Sequence, residues 1–168
     1  MRSIVILLFI VSVLMADDKF NLAFIQGISK NGEAYLRVNN TIFECKTYGV
    51  LSLNELSNRK EFSSSCEREL ILYFKKHPQD LYFPYRHLHI EQKYHYEFIG
   101  KGCLLYSSGQ VTYSEVLLKK GLAVMLPLFK HDIWKYRHQM LQDFAKQEKK
   151  GIWENNIISE CIAELYEE

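Results

Sequence analysis

The four cysteines are the residues whose chemistry is most directly indicated by number and spacing. They are Cys45, Cys66, Cys103 and Cys161, and none belongs to a CxxC motif or a zinc-finger spacing. A structural zinc site is therefore not expected, since such sites place their thiolates in close pairs. In an oxidising compartment an even number of cysteines favours disulfides, and three pairings are open. The alternative for Cys103, which lies in an apolar segment, is a buried unpaired side chain.

The first 16 residues have the pattern of an export signal. Arg2 supplies the positive charge, residues 4–15 are uncharged and almost wholly apolar, and Ala16 precedes the expected cleavage point. A membrane-spanning helix needs about 20 apolar residues, and charged residues end this run too early. Leu14 is larger than the residue preferred there, so one alternative is an inefficient cut that leaves an N-terminal anchor, and another is a buried N-terminal strand. We expect a secreted or periplasmic protein with no stable membrane span after signal cleavage.

Length and composition indicate one globular domain. The chain has 168 residues, of which 48% are hydrophobic and 24% charged, which excludes collagen-like, wholly disordered and polytopic membrane proteins. Without Arg2, the 21 basic residues become 20 and equal the 20 acidic residues. This balance excludes a strongly basic nucleic-acid coat protein, so any phosphate-binding surface must be local. The predicted organisation is a signal peptide at 1–16, a domain at 17–159 and an acidic tail at 160–168.

Hydrophobic patterning predicts strands first and helices later. Strands are expected over 20–28, 33–38, 41–50 and 102–106 and within the aromatic-rich segment 81–98. Helices are expected over 63–77, over 113–120 before Gly121, and from Asp132 to Gly151. About five strands and three helices predict an α+β domain with a mainly β core, a five-stranded Greek-key barrel of the OB-fold type. One face of the last helix is predicted to be covered by Ile133, Tyr136, Arg137, Met140, Leu141 and Phe144.

Two further groups could bind ligands, but the sequence supports structural roles for them equally well or better. His87 and His89 point to one face of a predicted strand and could share a metal ion, yet two ligands alone are insufficient. Six lysines could form a basic stripe, although a solvated helix face explains them as well. They are Lys119, Lys120, Lys130, Lys146, Lys149 and Lys150. The aromatic residues predicted to lie in or near the core are Trp134, Tyr136 and Phe144.

The last third of the chain carries a family resemblance. The helix predicted at 113–120 runs into Gly121-Leu122-Ala123, and a basic amphipathic helix is followed by Gly151-Ile152-Trp153. This order resembles the C-terminal third of staphylococcal-nuclease-like (thermonuclease) domains. Upstream, Tyr48-Gly49-Val50 and Gly100-Lys101-Gly102 resemble the segments that accompany the two catalytic arginines of that family. The resemblance implies an OB-fold barrel with the helices of that family.

The resemblance also implies a calcium-dependent phosphodiester hydrolase. In the family, Ca²⁺ held by aspartates polarises the phosphodiester, a glutamate helps water attack, and two arginines hold the phosphate. Glu33 matches the first metal-binding aspartate, and Lys46 and Lys101 match the two arginines. Glu55 matches the glutamate after a one-residue slip.

The same positions depart from the family pattern, so the resemblance implies a degraded site. Leu51 stands where the second metal-binding aspartate is expected, and a leucine side chain cannot bind a cation. Lysine keeps the charge of arginine but loses the planar fork that holds phosphate with two hydrogen bonds. Without the resemblance, Glu33, Lys46 and Lys101 are interpreted as ordinary surface charges.

Three functions are consistent with this pattern. The first expectation is an exported module that binds single-stranded DNA or RNA, or a small phosphorylated ligand, with weak or no hydrolysis. The alternative is an active secreted nuclease that uses Glu33, Lys46, Glu55 and Lys101 with Ca²⁺. The second alternative is a disulfide-stapled envelope interaction domain with an unidentified protein partner. Aromatic residues between 82 and 98 suit either binding function, because their rings stack on bases or form protein contacts.

Overall fold

Most of the described strands belong to one antiparallel sheet. The computed structural model describes residues 21–60 and 62–166. Six strands are hydrogen-bonded in the order β3-β2-β1-β5-β6-β7, and β4 pairs with β8 in a separate antiparallel ladder. The strands are β1 (Asn21–Ile28), β2 (Ala34–Val38), β3 (Thr41–Cys45), β4 (Val50–Ser52), β5 (Lys93–Ile99), β6 (Gly102–Ser108), β7 (Val111–Thr112) and β8 (Ala123–Met125).

The described helices form two groups, one between β4 and β5 and the other after β7. The first group is α1 (Leu53–Ser57), α2 (Ser64–Lys76), α3 (Pro78–Leu81) and α4 (Phe83–His87). The second group is α5 (Tyr113–Lys120), α6 (Asp132–Gln147), a 3-10 helix (Gly151–Glu154) and α7 (Asn156–Glu164). The predicted α+β class is therefore confirmed, with more helices than the sequence indicated. In the part of the chain that the structure describes, no helix has the length and apolar character needed to cross a membrane.

Strands β3 and β6 are not neighbours in the sheet, yet their ends meet. Thr47 and Cys103 form an isolated parallel bridge, and the Cys103 N–H donates to the Lys46 carbonyl at 3.1 Å. A disulfide joins Cys45 to Cys103 across the same contact. The described strands thus form a six-stranded antiparallel sheet with one cross-connection and without a closed barrel, and the five-stranded Greek-key barrel stays a prediction.

A continuous core joins the sheet to the helices. Ile25 and Leu36 from the sheet, Leu70 from α2, Leu118 from α5 and Ile158 from α7 belong to it and are all fully buried. The second disulfide joins Cys66 in α2 to Cys161 in α7, so the predicted disulfides are confirmed and their pairing is established. The predicted acidic tail at 160–168 begins inside α7.

Local signals located several elements correctly. The helix predicted at 113–120 is α5, and Gly121 ends it in the left-handed conformation at φ 68°. The Thr112 side chain accepts the Glu115 N–H and the Glu115 side chain accepts the Thr112 N–H, which forms a capping box. Helix α2 begins after Ser63, whose hydroxyl accepts the Cys66 N–H. These boundaries depend on residues adjacent in sequence, so the sequence alone indicates them.

The strand predicted within residues 81–98 begins only at Lys93. Pro84 lies in the first turn of α4, where the fixed φ of proline favours a helix start. His87 ends this helix with its ring stacked between those of Phe83 and Tyr113, at centroid distances of 5.0 and 5.8 Å. His89 lies beyond the helix and is exposed. The prediction that His87 and His89 share a strand face is therefore wrong.

The buried face of α6 also differs from the prediction. Ile133, Tyr136 and Met140 are 68%, 73% and 54% exposed, so Tyr136 does not lie near the core. Phe144 is half-buried, and the predicted burial of Trp134 is confirmed. The buried residues of the helix are Trp134, His138, Gln142 and Ala145.

Two polar side chains explain why α6 turns this face inward. The Gln142 side-chain oxygen accepts the Met125 N–H at 2.8 Å, which satisfies a donor of the short β8 strand. The His138 ring stacks on Phe129 at 5.6 Å, and burial lowers the pKa of His138 to about 4. Both residues therefore lie inside the protein for reasons that hydrophobic periodicity does not detect.

The ends of α5 and α6 meet at a contact between two glycines. The Ile152 N–H donates to the Gly121 carbonyl at 3.1 Å, and Gly151 has a φ of 58°. A Cβ on Gly121 would overlap the Lys150 carbonyl oxygen, and one on Gly151 would lie 2.6 Å from the Lys120 carbonyl oxygen. No side chain larger than hydrogen fits at either position without displacing backbone.

We predict that Gly121→Ala lowers the free energy of unfolding by about 3 to 5 kcal/mol, because left-handed strain adds to steric overlap. Gly109→Ala is the matched control. Gly109 also has positive φ, at 56°, but a Cβ added there would meet nothing within 4 Å. It should lose only about 1 to 2 kcal/mol. Urea denaturation of the oxidised proteins measures both values, and equal losses would contradict the close-contact explanation.

Candidate functional site

Glu33 is held at the end of the tight turn between β1 and β2. The Glu33 N–H donates to the Ser29 hydroxyl at 3.1 Å, and that hydroxyl lies 3.4 Å from the Glu33 carboxyl oxygen Oε2. Gly32 has a φ of 81°, and a Cβ added there would lie 2.7 Å from the Cγ atom of Pro84 in α4. Only 4% of Glu33 is exposed. Glu33 is therefore a fixed, buried carboxyl group rather than a solvated turn residue.

Three glutamates meet at this turn. The Glu33 carboxyl group is hydrogen-bonded to that of Glu44, and Glu55 lies near enough to repel its charge. Burial, followed by these two neighbours, raises the pKa of Glu33 to about 7, and the positive charge of Lys46 partly opposes the shift. Glu33 is thus a carboxyl group that holds a proton until the pH approaches neutrality.

Lys46 lies beside the carboxyl groups of Glu33 and Glu44. Ala34 pairs with Cys45 in the ladder of β2 and β3, so the next register position sets Glu33 opposite Lys46. The Lys46 ammonium lies 3.7 Å from a Glu44 carboxylate oxygen, and its side chain is 63% exposed. The structure therefore brings Glu33, Lys46 and Glu55 near one another, with Lys46 on the solvent side.

Glu55 has a structural task within this group. Its carboxylate accepts the Ser52 N–H at 2.8 Å, and its own N–H donates to the Ser52 hydroxyl at 3.3 Å, forming the capping box of α1. The neighbouring Asn54 amide donates to the Lys30 carbonyl and ties α1 to the turn before Glu33. The sequence predicted a catalytic role for Glu55, but at least one oxygen of this carboxylate already serves the helix start.

Lys101 lies in the turn between β5 and β6. Its side chain is exposed and forms no hydrogen bond or ion pair with a described residue. Lys101 is two residues from Cys103, which is joined to Cys45 and hydrogen-bonded to Lys46. A Cβ on Gly102 would overlap the Tyr48 ring, so Tyr48 covers the backbone next to Lys101. The disulfide therefore brings the Lys46 and Lys101 segments to one end of the sheet.

The residues present do not fit a calcium ion. Ca²⁺ takes six to eight oxygen ligands, whereas Glu33 is hydrogen-bonded to Glu44 and lies beside Ser29, and Glu55 caps α1. Leu51 is buried in β4 opposite Val124 and adds no oxygen. Across the described ranges, no group of three or more His, Cys, Asp or Glu side chains is arranged to hold a metal ion.

Glu44 is the member of this group that was not predicted from the sequence. It lies two residues before Lys46, and side chains two apart on a strand share a face. That alternation was the available signal. The sequence alone did not show which face of the strand predicted over 41–50 points toward Glu33. The structure shows this face, because β3 ends at Cys45 and pairs there with β2.

Comparison with known proteins provides no family assignment: neither a family model nor a curated protein matches this chain. The family resemblance therefore rests on the sequence motifs, and the arrangement of Glu33, Glu44, Lys46 and Glu55 is interpreted from its own chemistry.

We predict that Glu33→Gln changes how stability depends on pH. Because the pKa of Glu33 is raised to about 7, folding takes up a proton between its ordinary pKa and 7, and the free energy of unfolding falls as pH rises through this window. The glutamine side chain of the variant stays neutral and lacks this fall. The stability of the variant relative to wild type should rise by about 2 to 3 kcal/mol from mildly acidic to mildly alkaline pH.

Urea denaturation of both proteins across this pH range tests the prediction. His138 titrates in the opposite sense, since its pKa is lowered to about 4 and its protonation destabilises the fold as pH falls. Only the difference between the two proteins is therefore informative. If the free energies of unfolding of wild type and Glu33→Gln change with pH in parallel, Glu33 does not take up a proton on folding.

Proposed function

We propose that this chain is an exported staphylococcal-nuclease-like domain that binds nucleic acid or a small phosphorylated ligand and hydrolyses it weakly or not at all. The observation that carries the proposal is the placement of Lys46 and Lys101 at one end of the sheet by the Cys45–Cys103 disulfide. These are the two lysines that match the phosphate-holding arginines of the family.

The strand connections support an OB-type topology. The sheet order places β1 between β2 and β5, and the parallel bridge of Thr47 with Cys103 brings the end of β3 against β6. A five-stranded Greek-key barrel needs this connection in order to close. We infer a partly closed barrel in which β7 and the short β4–β8 ladder are additions.

The charges around Lys46 favour weak, salt-sensitive binding of an anion. Lys46 is mostly exposed, but its ammonium lies 3.7 Å from the Glu44 carboxylate. Proton uptake by Glu33 near neutral pH removes one negative charge from this region. The exposed Lys101 adds a positive charge at the same end. Attraction between charges that are exposed to solvent is largely screened at separations beyond about 10 Å at ordinary ionic strength, so the binding should weaken as salt is added.

Efficient hydrolysis is not expected from this arrangement. A single preorganised donor to a developing negative charge is worth about 3 kcal/mol. Both forked arginines are replaced by lysine, and Leu51 occupies the position of a metal-binding carboxylate. The combined loss reduces transition-state stabilisation by several kcal/mol, roughly a thousandfold or more in rate.

The two disulfides support export. Disulfides form and persist mainly in oxidising compartments, and all four cysteines of the chain are paired. The predicted signal peptide at 1–16 lies outside the described residues. We therefore infer a secreted or periplasmic location from the cysteines and the sequence of the leader together.

The proposal predicts binding of single-stranded DNA or RNA without efficient cleavage. Purified, oxidised protein is mixed with labelled oligonucleotides in the presence of Ca²⁺, Mg²⁺ or chelator, and anisotropy and strand length are measured. Lys46→Gln with Lys101→Gln should weaken binding about tenfold, because two phosphate contacts are lost. Lys60→Gln with Lys75→Gln, which changes two exposed lysines elsewhere, is the matched control.

Two results would contradict the proposal. Metal-dependent cleavage by wild type that disappears in Lys101→Ala would favour the active secreted nuclease. Equal affinities of the Lys46/Lys101 and Lys60/Lys75 variants would remove these two lysines from the binding surface.

One observation favours an interaction domain as the second candidate function. Leu128 is 81% exposed, and Ile133, Tyr136 and Met140 follow it as exposed residues of α6. Exposed apolar side chains at helical spacing are typical of a surface that contacts another protein. If oligonucleotides are neither bound nor cut, this candidate is favoured, and Tyr136→Ser with Met140→Ser should abolish capture of an envelope protein.

A further inference from the structure

Five lysines from two distant segments form one basic surface, here termed the lysine cluster. Its members are Lys119 and Lys120 at the end of α5 and Lys146, Lys149 and Lys150 at the end of α6. The contact of Gly121 with Gly151 brings the two helix ends together, since the Gly121 carbonyl accepts the Ile152 N–H at 3.1 Å. The cluster is therefore a product of the fold.

Aromatic rings hold the ammonium groups of the cluster in place. The Phe144 ring lies 4.3 Å from the Lys150 ammonium and 5.9 Å from that of Lys119. The Lys146 ammonium lies 4.9 Å from the Trp153 ring, and Lys120 lies 5.3 Å from the Phe83 ring. Cation–π contacts orient a cation but leave its charge uncompensated.

None of the five lysines forms an ion pair with an acidic side chain of residues 21–60 and 62–166, and the acidic residue within their own segments is Glu148. Lys46 and Lys76 each form an ion pair with a glutamate in that part of the chain, whereas the five lysines of the cluster form none. The whole chain carries a formal charge of only +1. Five lysines that form no ion pair, with Glu148 as the one acidic residue in the segment 146–150, make a locally positive surface that attracts an extended anion.

The backbone at Lys149 ends α6. Lys149 adopts a left-handed φ of 49°, and the Lys150 N–H donates to the Ala145 carbonyl at 2.9 Å, as is usual at a helix C-terminus. A groove runs beside the cluster between the end of α6 and α7, and it is lined by Lys146, Lys149, Trp153, Asn156 and Ser159 among others. A chain of phosphates that follows this groove would meet the exposed ammonium groups of Lys146 and Lys149.

We propose that the lysine cluster binds the phosphodiester backbone of single-stranded nucleic acid. A polymer with one charge per nucleotide matches cations spread along a groove, and its binding is driven by release of counterions. An anionic membrane is the less suitable partner, because interfacial binding also requires apolar side chains that insert into the lipid. Here Phe144 and Trp153 lie beneath the ammonium groups, and Trp153 is 5% exposed.

The lysine cluster shares no residue with the site of Lys46 and Lys101, so its test does not depend on the function proposed above. Affinity of the oxidised full chain for a fluorescein-labelled oligothymidylate is measured over a series of salt concentrations. Each neutralised phosphate of a single strand contributes about −0.7 to the slope of log affinity against log salt, so five contacts give about −3.5. Lys119→Gln with Lys150→Gln should make the slope shallower by about 1.4 and weaken binding about tenfold at low salt.

Two comparisons guard against effects on folding. Lys149→Asn removes one charge from a left-handed position that asparagine tolerates, so it should weaken binding while thermal stability is retained. Lys60→Gln with Lys75→Gln removes two exposed charges outside the cluster and should leave the affinity nearly unchanged. Circular dichroism of each variant shows that the fold is intact.

The proposal is overturned if the cluster variants bind like the Lys60/Lys75 control, or if wild type does not bind the oligothymidylate at the lowest salt concentration. Binding of wild type to anionic vesicles alone, lost in Lys119→Gln with Lys150→Gln, would assign the surface to a membrane instead. The Lys46/Lys101 variant is measured in parallel. If it binds like wild type while the cluster variants do not, the lysine cluster stands and the function proposed for the other site fails.

Discussion

The contact between the end of β3 and β6 determines the shape of the sheet. Three strands separate them in the hydrogen-bonded order, so a flat sheet would hold them about 19 Å apart. The Cα atoms of Cys45 and Cys103 are instead 5.1 Å apart. The sheet must therefore curl. The curl also brings the ring of Phe43 in β3 near the ring of Tyr96 in β5, with 5.3 Å between the ring centroids. The same contact brings the segments of Lys46 and Lys101 to one end.

Elements with strong local signals could be predicted from the sequence. Helix α5 has its capping residues and its terminal glycine within a few positions of its ends, and the even number of cysteines indicated disulfides. Predictions that depended on tertiary contacts were less successful. Periodicity chose the wrong face of α6 because the inward residues His138 and Gln142 are polar, and they are buried by a ring contact and by the Met125 N–H of another element.

The candidate site illustrates the same division. The family motifs led to Glu33, Lys46 and Glu55, and the structure brings these side chains together. Glu44 was missed because its position beside Glu33 depends on the register between β2 and β3, which the sequence does not specify. The chemical state of the site could not be predicted either. Burial of Glu33 and its hydrogen bond to Glu44 convert an expected metal ligand into a carboxyl group that retains a proton.

The two disulfides have a further consequence when a protease cuts the chain. Cys45–Cys103 spans 58 residues and Cys66–Cys161 spans 95, so residues 67–102 lie within both covalent loops. A peptide bond cut in the exposed segment around α3 and α4 therefore leaves its two ends attached through both bridges. Such a nicked molecule stays one covalent unit until its disulfides are reduced, so the two fragments cannot diffuse apart. After such a cut, β3 remains joined to β6 and α2 remains joined to α7.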